Sequence, residues 1–417
     1  MLASSAIRDA RRAGLPTDSL SPIGSLRRFS PEVDEVALLA VASPAYHDEI
    51  LTGFGRLPAV TAITAETPSS VTTMTTRGLV TLHVAPPEHA GAALAWHTGP
   101  RGHIDRLAER AGRFQLQLAD GRLRRRSGED VATATESELY RHLALPYIAP
   151  ELRDGTGEEI AAAERGALPQ LLTDMHIRGD LHMHSTWSDG RDPIQLMVTA
   201  GKQLGYEYVA ITDHSERSWA SRKLAAADIQ RQRDEIAALR EELKGIDILH
   251  GIEVDIMKDG SLDFSDADLE GFDIVLASLH DHGGQDGAQL TNRYLQAIRH
   301  PLVNVITHPA NRSPAQSPGY DVDFDRLFAA AVDTGTAMEI DGAPGHLDMD
   351  GAVARRAIAA GVTITVDSDC HRADALARQM RFGVGTARRG WVEPHHVLNT
   401  RGVDDVRAFI ARKRAGR

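Results

Sequence analysis

The stretch IRGDLHMHSTWSDG, residues 177–190, decides the fold of the C-terminal part of this chain. It begins as an apolar run of strand length and ends in two histidines, His182 and His184, which are separated by one residue. Asp189 follows in a Ser-Asp-Gly turn. Alternate residues of a β-strand point to the same face. The two imidazoles are therefore expected to point in the same direction.

Similar apolar runs recur along the rest of the chain. The seven runs span 177–184, 208–214, 246–254, 272–280, 302–308, 336–341 and 362–369. Segments with helical periodicity lie between most of them, at 193–204, 226–243, 324–332 and 352–360. Alternating strands and helices favour a parallel sheet, and seven such units predict a closed or nearly closed α/β barrel.

Nearly every run ends in His, Asp or Glu. In a parallel barrel all the C-terminal strand ends lie on one face, so these side chains are expected to converge there. A single histidine at a strand end is more often structural than a ligand, but a set of this size at the same end of successive strands argues against coincidence. The candidate metal ligands are His182, His184, Asp189, His214, Glu253, His280, His308, Asp369 and His371.

Imidazoles and carboxylates together suit Mn, Zn or Fe. Nine ligands are too many for one ion, so the pattern predicts two or three divalent ions with bridging carboxylates. Such ions would lower the pKa of a bound water, so that a hydroxide is available near neutral pH. We assign the catalytic role, exerted through that hydroxide, to His182, His184, Glu253 and Asp369.

Three neighbours of the candidate ligands need a separate interpretation. Cys370 lies between two ligands, but no covalent nucleophile is needed, and we expect it to be a packing residue. Asp213 and Asp367 are candidates to support an imidazole through a hydrogen bond.

Positive charge is also expected near the substrate phosphate that the family resemblance given below implies. The candidates are Arg217 after the second run, Arg312 after the fifth and Arg388 in TARRGW, with Arg312 preferred because it lies four residues beyond His308. The alternative for each of them is a solvated surface arginine on a loop, without a role in binding.

Composition limits the class of protein. The chain has 417 residues, a net charge of −12, 19 histidines and one cysteine. One cysteine excludes a disulfide framework and a cysteine-based zinc cluster. No apolar stretch is long enough to span a membrane, and the N-terminus lacks the pattern of a secretion signal, so we expect a cytoplasmic protein.

The motifs DLHMHSTWSDG, ITDHS, GIEVDI, ASLH, ITHP and VDSDCH resemble those of the PHP (polymerase and histidinol phosphatase) domain. The resemblance implies a distorted, TIM-like (β/α)7 barrel with a trinuclear metal centre, and a metal-dependent phosphoesterase. All nine ligand positions of that family are filled here by the residues given above.

The chain is most similar to the branch of bacterial family X DNA polymerases that carry a PHP domain. Shared stretches include LALPYIAPELRDGTGEEIAAAERGALPQL and PGYDVDFDRLF, and GSLRR at 24–28 resembles the palm motif of the polymerase. That palm needs three carboxylates, but the corresponding positions hold Glu35, Ala37 and Thr81. One carboxylate cannot assemble a two-metal nucleotidyl-transfer site. The chain starts close to this motif, so no DNA-gripping helix-hairpin-helix region is expected before it.

These observations predict three segments. Residues 1–120 form a degenerate nucleotidyltransferase-like α/β domain without polymerase activity, 121–175 a connector rich in proline and glycine, and 176–417 the PHP domain. The basic run at 122–126 is interpreted as a solvated loop, with a DNA contact as the alternative.

The expected substrate is a DNA 3'-end, cleaved by a 3'-5' exonuclease or 3'-phosphatase. The alternative is a small phosphate ester such as histidinol phosphate, which the acidic balance favours because phosphate neutralisation supplies most non-specific affinity for DNA. A metal-binding scaffold without catalysis is a weaker alternative, since scaffolds tend to lose ligands. No membrane partner is expected, and the sequence does not indicate a protein partner.

Overall fold

The computed structural model describes residues 2–33, 35–218, 220–314 and 316–416. It divides into two compact units, Met1–Leu168 and Pro169–Arg417.

The first unit is built on a mixed five-stranded sheet in the order β1-β2-β5-β4-β3. Only β2 and β5 run parallel, and the other neighbours are antiparallel. The strands are β1 Ser19–Pro22, β2 Val36–Val41, β3 Val60–Thr67, β4 Ser70–Thr75 and β5 Gly78–Ala85. The helices of this part are α1 Leu2–Arg12, α2 Gly24–Arg27, α3 His47–Gly55 and α4 Ala90–Thr98.

Alternation along β2 explains the two faces of this sheet. Leu38 and Ala40 pack on the side of α1 and α3, whereas Ala37 and Leu39 pack on the side of α4. Successive residues of a strand point to opposite faces, so an uninterrupted apolar strand is expected where helices cover both.

The segment that the sequence analysis assigned to a connector has regular structure up to Leu168, where the first unit ends. The elements of this region are α5 Arg101–Arg113, β6 Leu116–Ala119, β7 Arg122–Arg125, β8 Asp130–Val131, α6 Glu136–His142 and α7 Glu158–Glu164. Leu123, Leu139 and Ile148 are fully buried. Prolines and glycines in this region therefore mark turns between packed elements.

The second unit confirms the predicted barrel. In the described chain its seven strands are all parallel and follow the order β15-β14-β13-β12-β11-β10-β9. The strands are β9 Gly179–Asp180, β10 Tyr208–Ile211, β11 Asp247–Asp255, β12 Ile274–Ser278, β13 Val305–Ile306, β14 Ala337–Asp341 and β15 Ile364–Asp367. The helices are α8 Ile194–Gln203, α9 Ile229–Glu242, α10 Asp266–Leu269, α11 Gly287–Arg299, α12 Phe324–Thr334, α13 Gly351–Ala359, α14 Leu376–Arg389 and α15 Val403–Ala415.

Apolar side chains fill the barrel at the N-terminal ends of its strands. Val406, Phe409 and Ile410 of α15 belong to the same cluster as Tyr208, Leu249 and other inward-facing strand residues. Because α15 packs on this end, the polar strand ends are left to form a site at the opposite end.

Asn399 bridges the seam between the first and last strands of the barrel. Asn399 Nδ2 donates to the carbonyl oxygens of Gly179 (2.9 Å) and Val366 (2.7 Å), and Asn399 Oδ1 accepts from Val366 N (3.0 Å). Further along, His184 N donates to Cys370 O at 2.9 Å. Asn399 thus supplies hydrogen bonds that a strand would supply elsewhere in the barrel.

Replacing Asn399 with alanine is expected to lower the free energy of unfolding by about 3 kcal/mol or more, because each buried backbone group left unpaired costs about 1–3 kcal/mol. Urea unfolding followed by circular dichroism measures this difference. Asn292→Ala, at an exposed position on α11, is the matched control. Equal losses for the two variants would contradict the role of Asn399 in the seam.

Candidate metal centre

Glu253, near the end of β11, lies at the middle of the converging side chains. Its Oε2 is 2.8 Å from His214 Nδ1, and its Oε1 is 2.9 Å from His308 Nε2. The Nε2 atoms of three more histidines lie 3.4–3.6 Å from the same carboxylate, and these are His182, His184 and His280. Burial alone would raise the pKa of Glu253, but His214 and His182 outweigh it and hold that pKa well below its usual range.

Asp369 contacts both histidines of the first apolar run, His182 and His184. Its Oδ1 lies 3.0 Å from His184 Nε2 and 3.6 Å from His182 Nε2. The two Nε2 atoms are 3.1 Å apart. Two nitrogens bound to one tetrahedral zinc ion at its usual bond length lie about 3.3 Å apart, so the pair is spaced to share an ion.

Asp189 and His371 form the remaining edge of the cluster. Asp189 Oδ1 is 3.2 Å from His371 Nε2 and 3.6 Å from His214 Nε2. Burial would raise the pKa of Asp189, but the contacts with His371 and His214 lower it to about 2.

All nine predicted ligands therefore converge on one face of the barrel. Eight of them fall into three overlapping groups, each able to offer an ion donor atoms within 4.8 Å of one another, and the groups are His184/Asp189/His214/His371, His182/His184/Asp369 and His214/Glu253/His280. His308 joins them through Glu253. Their assignment as ligands stays a prediction.

Two orphaned atoms test whether the cluster fits cations. Glu253 Oε2 and His214 Nδ1 are buried and 2.8 Å apart, yet neither has a hydrogen-bond partner within the described chain. Both atoms can donate a lone pair to a metal ion. Because they are close together but not hydrogen-bonded to each other, one cation could bind to both. The residues present fit divalent cations.

Two carboxylates that the sequence analysis did not single out support the imidazoles. His182 Nδ1 donates to Glu339 Oε1 at 2.6 Å, and Glu339 Oε2 accepts from His308 N at 2.8 Å. His280 Nδ1 lies 2.9 Å from Asp255 Oδ1. Such contacts fix the orientation of a ligating imidazole and leave its other nitrogen free for a metal. A signal for Glu339 was present in the sequence: a carboxylate within the apolar run AMEID.

Glu339→Gln is expected to weaken binding of Mn²⁺ or Zn²⁺ by about 10- to 100-fold, which is the usual cost of removing such support. The amide would keep one acceptor for His182 but lose the charge and one of the two acceptor oxygens. Calorimetric titration of metal-free protein measures the affinity. Glu241→Gln, at an exposed position on α9, is the control, and an affinity equal to that of the control would contradict the role of Glu339.

Asp213 and Asp367 accept hydrogen bonds from groups other than the imidazoles that the sequence analysis expected. Asp213 accepts hydrogen bonds from Ser185 and Ser188, and so holds the loop that carries Asp189. Asp367 Oδ1 accepts from Leu181 N at 2.8 Å across the seam. Cys370 is buried in the core, as expected, and burial raises the pKa of its thiol to about 12.

The three predicted phosphate-binding arginines each contact a different partner, and their role in binding phosphate stays a prediction. Arg312 donates to Asp350 Oδ2 at 3.0 Å, and the largely exposed Arg217 pairs with Asp263. Arg388 donates to Leu172 O from the last turn of α14, about 18 Å along that helix from its first residue. Arg222, which the sequence analysis did not select, donates to Gly190 O beside Asp189.

The comparisons with known proteins agree with this geometry. The profile of the PHP domain matches residues 180–309, and that of the DNA polymerase beta thumb matches 93–154. The chain is 34% identical over 400 residues to the DNA polymerase/3'-5' exonuclease PolX of Bacillus subtilis (strain 168), a match that covers 94% of this chain and 68% of the relative.

The chain belongs to the PolX family. It is also similar to smaller proteins named probable phosphatases. One, from Thermoanaerobacter sp. (strain X514), is 29% identical over 247 residues, 56% of this chain and 95% of the relative. Another, from Syntrophotalea carbinolica, is 28% identical over 230 residues, 53% of this chain and 90% of the relative. This PolX-family chain is a hydrolase of phosphoester bonds with side chains able to bind divalent metals.

The three positions that the sequence analysis compared with the palm carboxylates lie in, or just before, two strands of the first unit. Ala37 and Thr81 are paired partners on the parallel strands β2 and β5, so the two positions lie side by side. Thr81 Oγ1 is hydrogen-bonded to Thr72 Oγ1 at 3.0 Å, and Glu35 is exposed just before β2. These three positions therefore hold one carboxylate, one methyl group and one hydroxyl.

Several arginines of the first unit are paired with acids. Arg27 of the GSLRR motif and the buried Arg153 both bind Glu136, at 2.6 and 2.7 Å. In the basic run, Arg122 and Arg124 contact Asp130, at 3.1 and 2.9 Å.

Among the described helices, none is both long and apolar enough to cross a membrane.

Proposed function

We propose that this chain hydrolyses DNA 3'-ends as a metal-dependent phosphoesterase, of the 3'-5' exonuclease or 3'-phosphatase type, in the cytoplasm and without polymerase activity. The observation that carries the proposal is the convergence of nine ligand-type side chains, Glu253 among them, at one end of a parallel barrel. The relative that spans nearly the whole chain is named for a polymerase and a 3'-5' exonuclease.

The proposed centre holds two or three divalent ions, Mn, Zn or Fe. Bound ions of this kind lower the pKa of water and neutralise the charge of a phosphoester. The protein side chains position them: His182 and His184 with Asp369 on one side, His214 and His280 with Glu253 on the other. Glu339 and Asp255 hold the imidazoles in place from behind.

Loss of polymerase activity follows from the palm. Nucleotidyl transfer needs carboxylates that hold two metal ions, and the paired positions Ala37 and Thr81 offer none. Primer extension with Mg²⁺ and all four dNTPs is expected to give no product. If the wild type extended a primer and a Glu253→Gln protein did so equally, this part of the proposal would be overturned, because a working polymerase site would then lie in the first unit.

A second candidate is a phosphomonoesterase that acts on a small metabolite such as histidinol phosphate. The relatives named probable phosphatases match over 90–95% of their own length, so they correspond to little more than the barrel. The ion pairs that Asp130 makes with the basic run also reduce the charge available for DNA.

The deciding experiment supplies metal-loaded protein with three substrates: a labelled single-stranded oligonucleotide, the same oligonucleotide with a 3'-phosphate, and histidinol phosphate. Shortening of the oligonucleotide selects the exonuclease, and phosphate release from its 3'-end selects the 3'-phosphatase. Turnover of histidinol phosphate alone selects the metabolite enzyme. Equal turnover by Asp369→Ala or His182→Ala would overturn the metal centre, and no turnover of any substrate by metal-loaded protein would favour the scaffold.

A further inference from the structure

The sixth strand of the barrel supplies none of the nine predicted ligands, yet it ends in a fully buried carboxylate. Asp341, the last residue of β14, accepts a hydrogen bond from Ala343 N through Oδ1 at 2.6 Å. Its Oδ2 is also buried and has no hydrogen-bond partner among the residues described. An unpaired buried carboxylate oxygen is costly, so it calls for a compensating group.

A histidine with an orphaned nitrogen lies close to this carboxylate. The His346 ring stacks on His308, with ring centroids 5.0 Å apart and an angle of 18° between the planes. His346 Nδ1 is buried and, within the described ranges, has no hydrogen-bond partner. His346 N donates to Ala343 O at 3.0 Å, and Asp348 Oδ2 in the same loop accepts from Ala310 N at 2.9 Å. The ring is therefore held by a fixed turn and by packing.

Asp369 completes the group. One donor atom from each of Asp341, His346 and Asp369 lies within 4.8 Å of the others. At bond lengths of about 2.1 Å, two donor atoms on opposite sides of one ion lie about 4.2 Å apart and adjacent ones about 3.0–3.4 Å apart, so a bound ion would draw the three groups closer together. Asp369 Oδ1 is directed at His184 Nε2, 3.0 Å away, and a carboxylate with two oxygens can serve two neighbouring cations.

We propose that Asp341, His346 and Asp369 bind one divalent cation in addition to those of the nine-residue cluster. One imidazole and two carboxylates suit Mn²⁺, Zn²⁺ or Fe²⁺. This extra position goes beyond the proposed function, which needs only the nine ligands, and it depends on the proposed centre only through the shared Asp369. It places a further positive charge on the β14 side of the site.

Metal content of the full-length protein tests the proposal. Metal-free wild type, Asp341→Asn, His346→Gln and the control His395→Gln are equilibrated with Mn²⁺, and in parallel with Zn²⁺. Bound metal per chain is measured by mass spectrometry, and affinities by calorimetry. His395 is an exposed histidine, and its side chain is 68% accessible. Wild type and control are expected to bind one equivalent more than either variant, while the other equivalents keep their affinities.

The same number of bound ions, with the same affinities, in all four proteins would overturn the proposal. Asparagine at 341 keeps an oxygen that can accept from Ala343 N, so this variant is expected to fold, and circular dichroism checks it. If it does not fold, His346→Gln decides.

A Glu253→Gln protein separates this inference from the proposed function. Normal binding by Glu253→Gln together with one lost equivalent in Asp341→Asn would reject the nine-ligand centre but support the extra site. Absence of any bound ion in wild type would overturn both.

Discussion

Replacement of Glu253 by glutamine is expected to lower kcat/KM for phosphoester hydrolysis by about a thousandfold or more. The carboxylate lies within 3.6 Å of nitrogen atoms from five histidines, so it is the one group that touches most of the predicted ligands. Glutamine has nearly the same shape but no charge. The loss of several kcal/mol of metal-ion stabilisation corresponds to such a factor, since each factor of ten is about 1.4 kcal/mol.

The measurement is initial-rate kinetics on the substrate selected above, with metal content determined on the same samples. Glu241→Gln, an exposed glutamate on α9, is the control and is expected to match the wild type. A Glu253→Gln enzyme with normal metal content and normal kcat/KM would show that the site of hydrolysis lies elsewhere.

The fold of the second unit could be predicted from the sequence because each strand has a local signal. The seven apolar runs coincide with the seven strands, and the helical segments at 193–204, 226–243, 324–332 and 352–360 coincide with α8, α9, α12 and α13. Strand direction then determines where the polar ends meet. Convergence of the candidate ligands follows from topology alone, without any knowledge of side-chain positions.

Contacts made across the barrel have no such local signal. Asn399 lies 33 residues after Val366 and 220 after Gly179, so the sequence gives no reason to join them. Glu339 reaches His182 across 157 residues. Asp341 is the last residue of the one strand whose end was not assigned a ligand, and the turn that follows it brings the His346 imidazole back beside this carboxylate.

In the region up to Leu168 the local signals allow more than one interpretation. Prolines and glycines between 146 and 170 predicted an ordered connector; within this stretch Ile148 and Leu152 are buried, and the first unit extends to Leu168. Turn-forming residues mark where the chain changes direction. They do not distinguish a linker from the loops of a small packed domain.

Removal of metal is expected to lower the Tm of the second unit by about 8–16 °C. A cation present at a thousand times its Kd stabilises the folded state by about 4 kcal/mol, and 1 kcal/mol corresponds to about 2–4 °C for a unit of this size. The physical reason is the density of buried carboxylates: Glu253, Glu339 and Asp341 are fully buried at one end of the barrel. Without cations, part of that charge must be neutralised by protons or left unpaired.

Differential scanning calorimetry of the full chain, with and without a chelator and then after Mn²⁺ or Zn²⁺ is restored, measures this shift. The first unit supplies an internal reference, because none of the candidate ligands lies before Pro169, and its transition is expected to stay within about 2 °C. Glu253→Gln is expected to reduce the metal-dependent rise in Tm, because it removes one ligand. The Tm of the metal-free protein is expected to fall by less, because the variant also removes one buried charge. A Tm of the second unit that does not respond to metal would mean that the converging side chains are satisfied without cations, and the proposed centre would then be wrong.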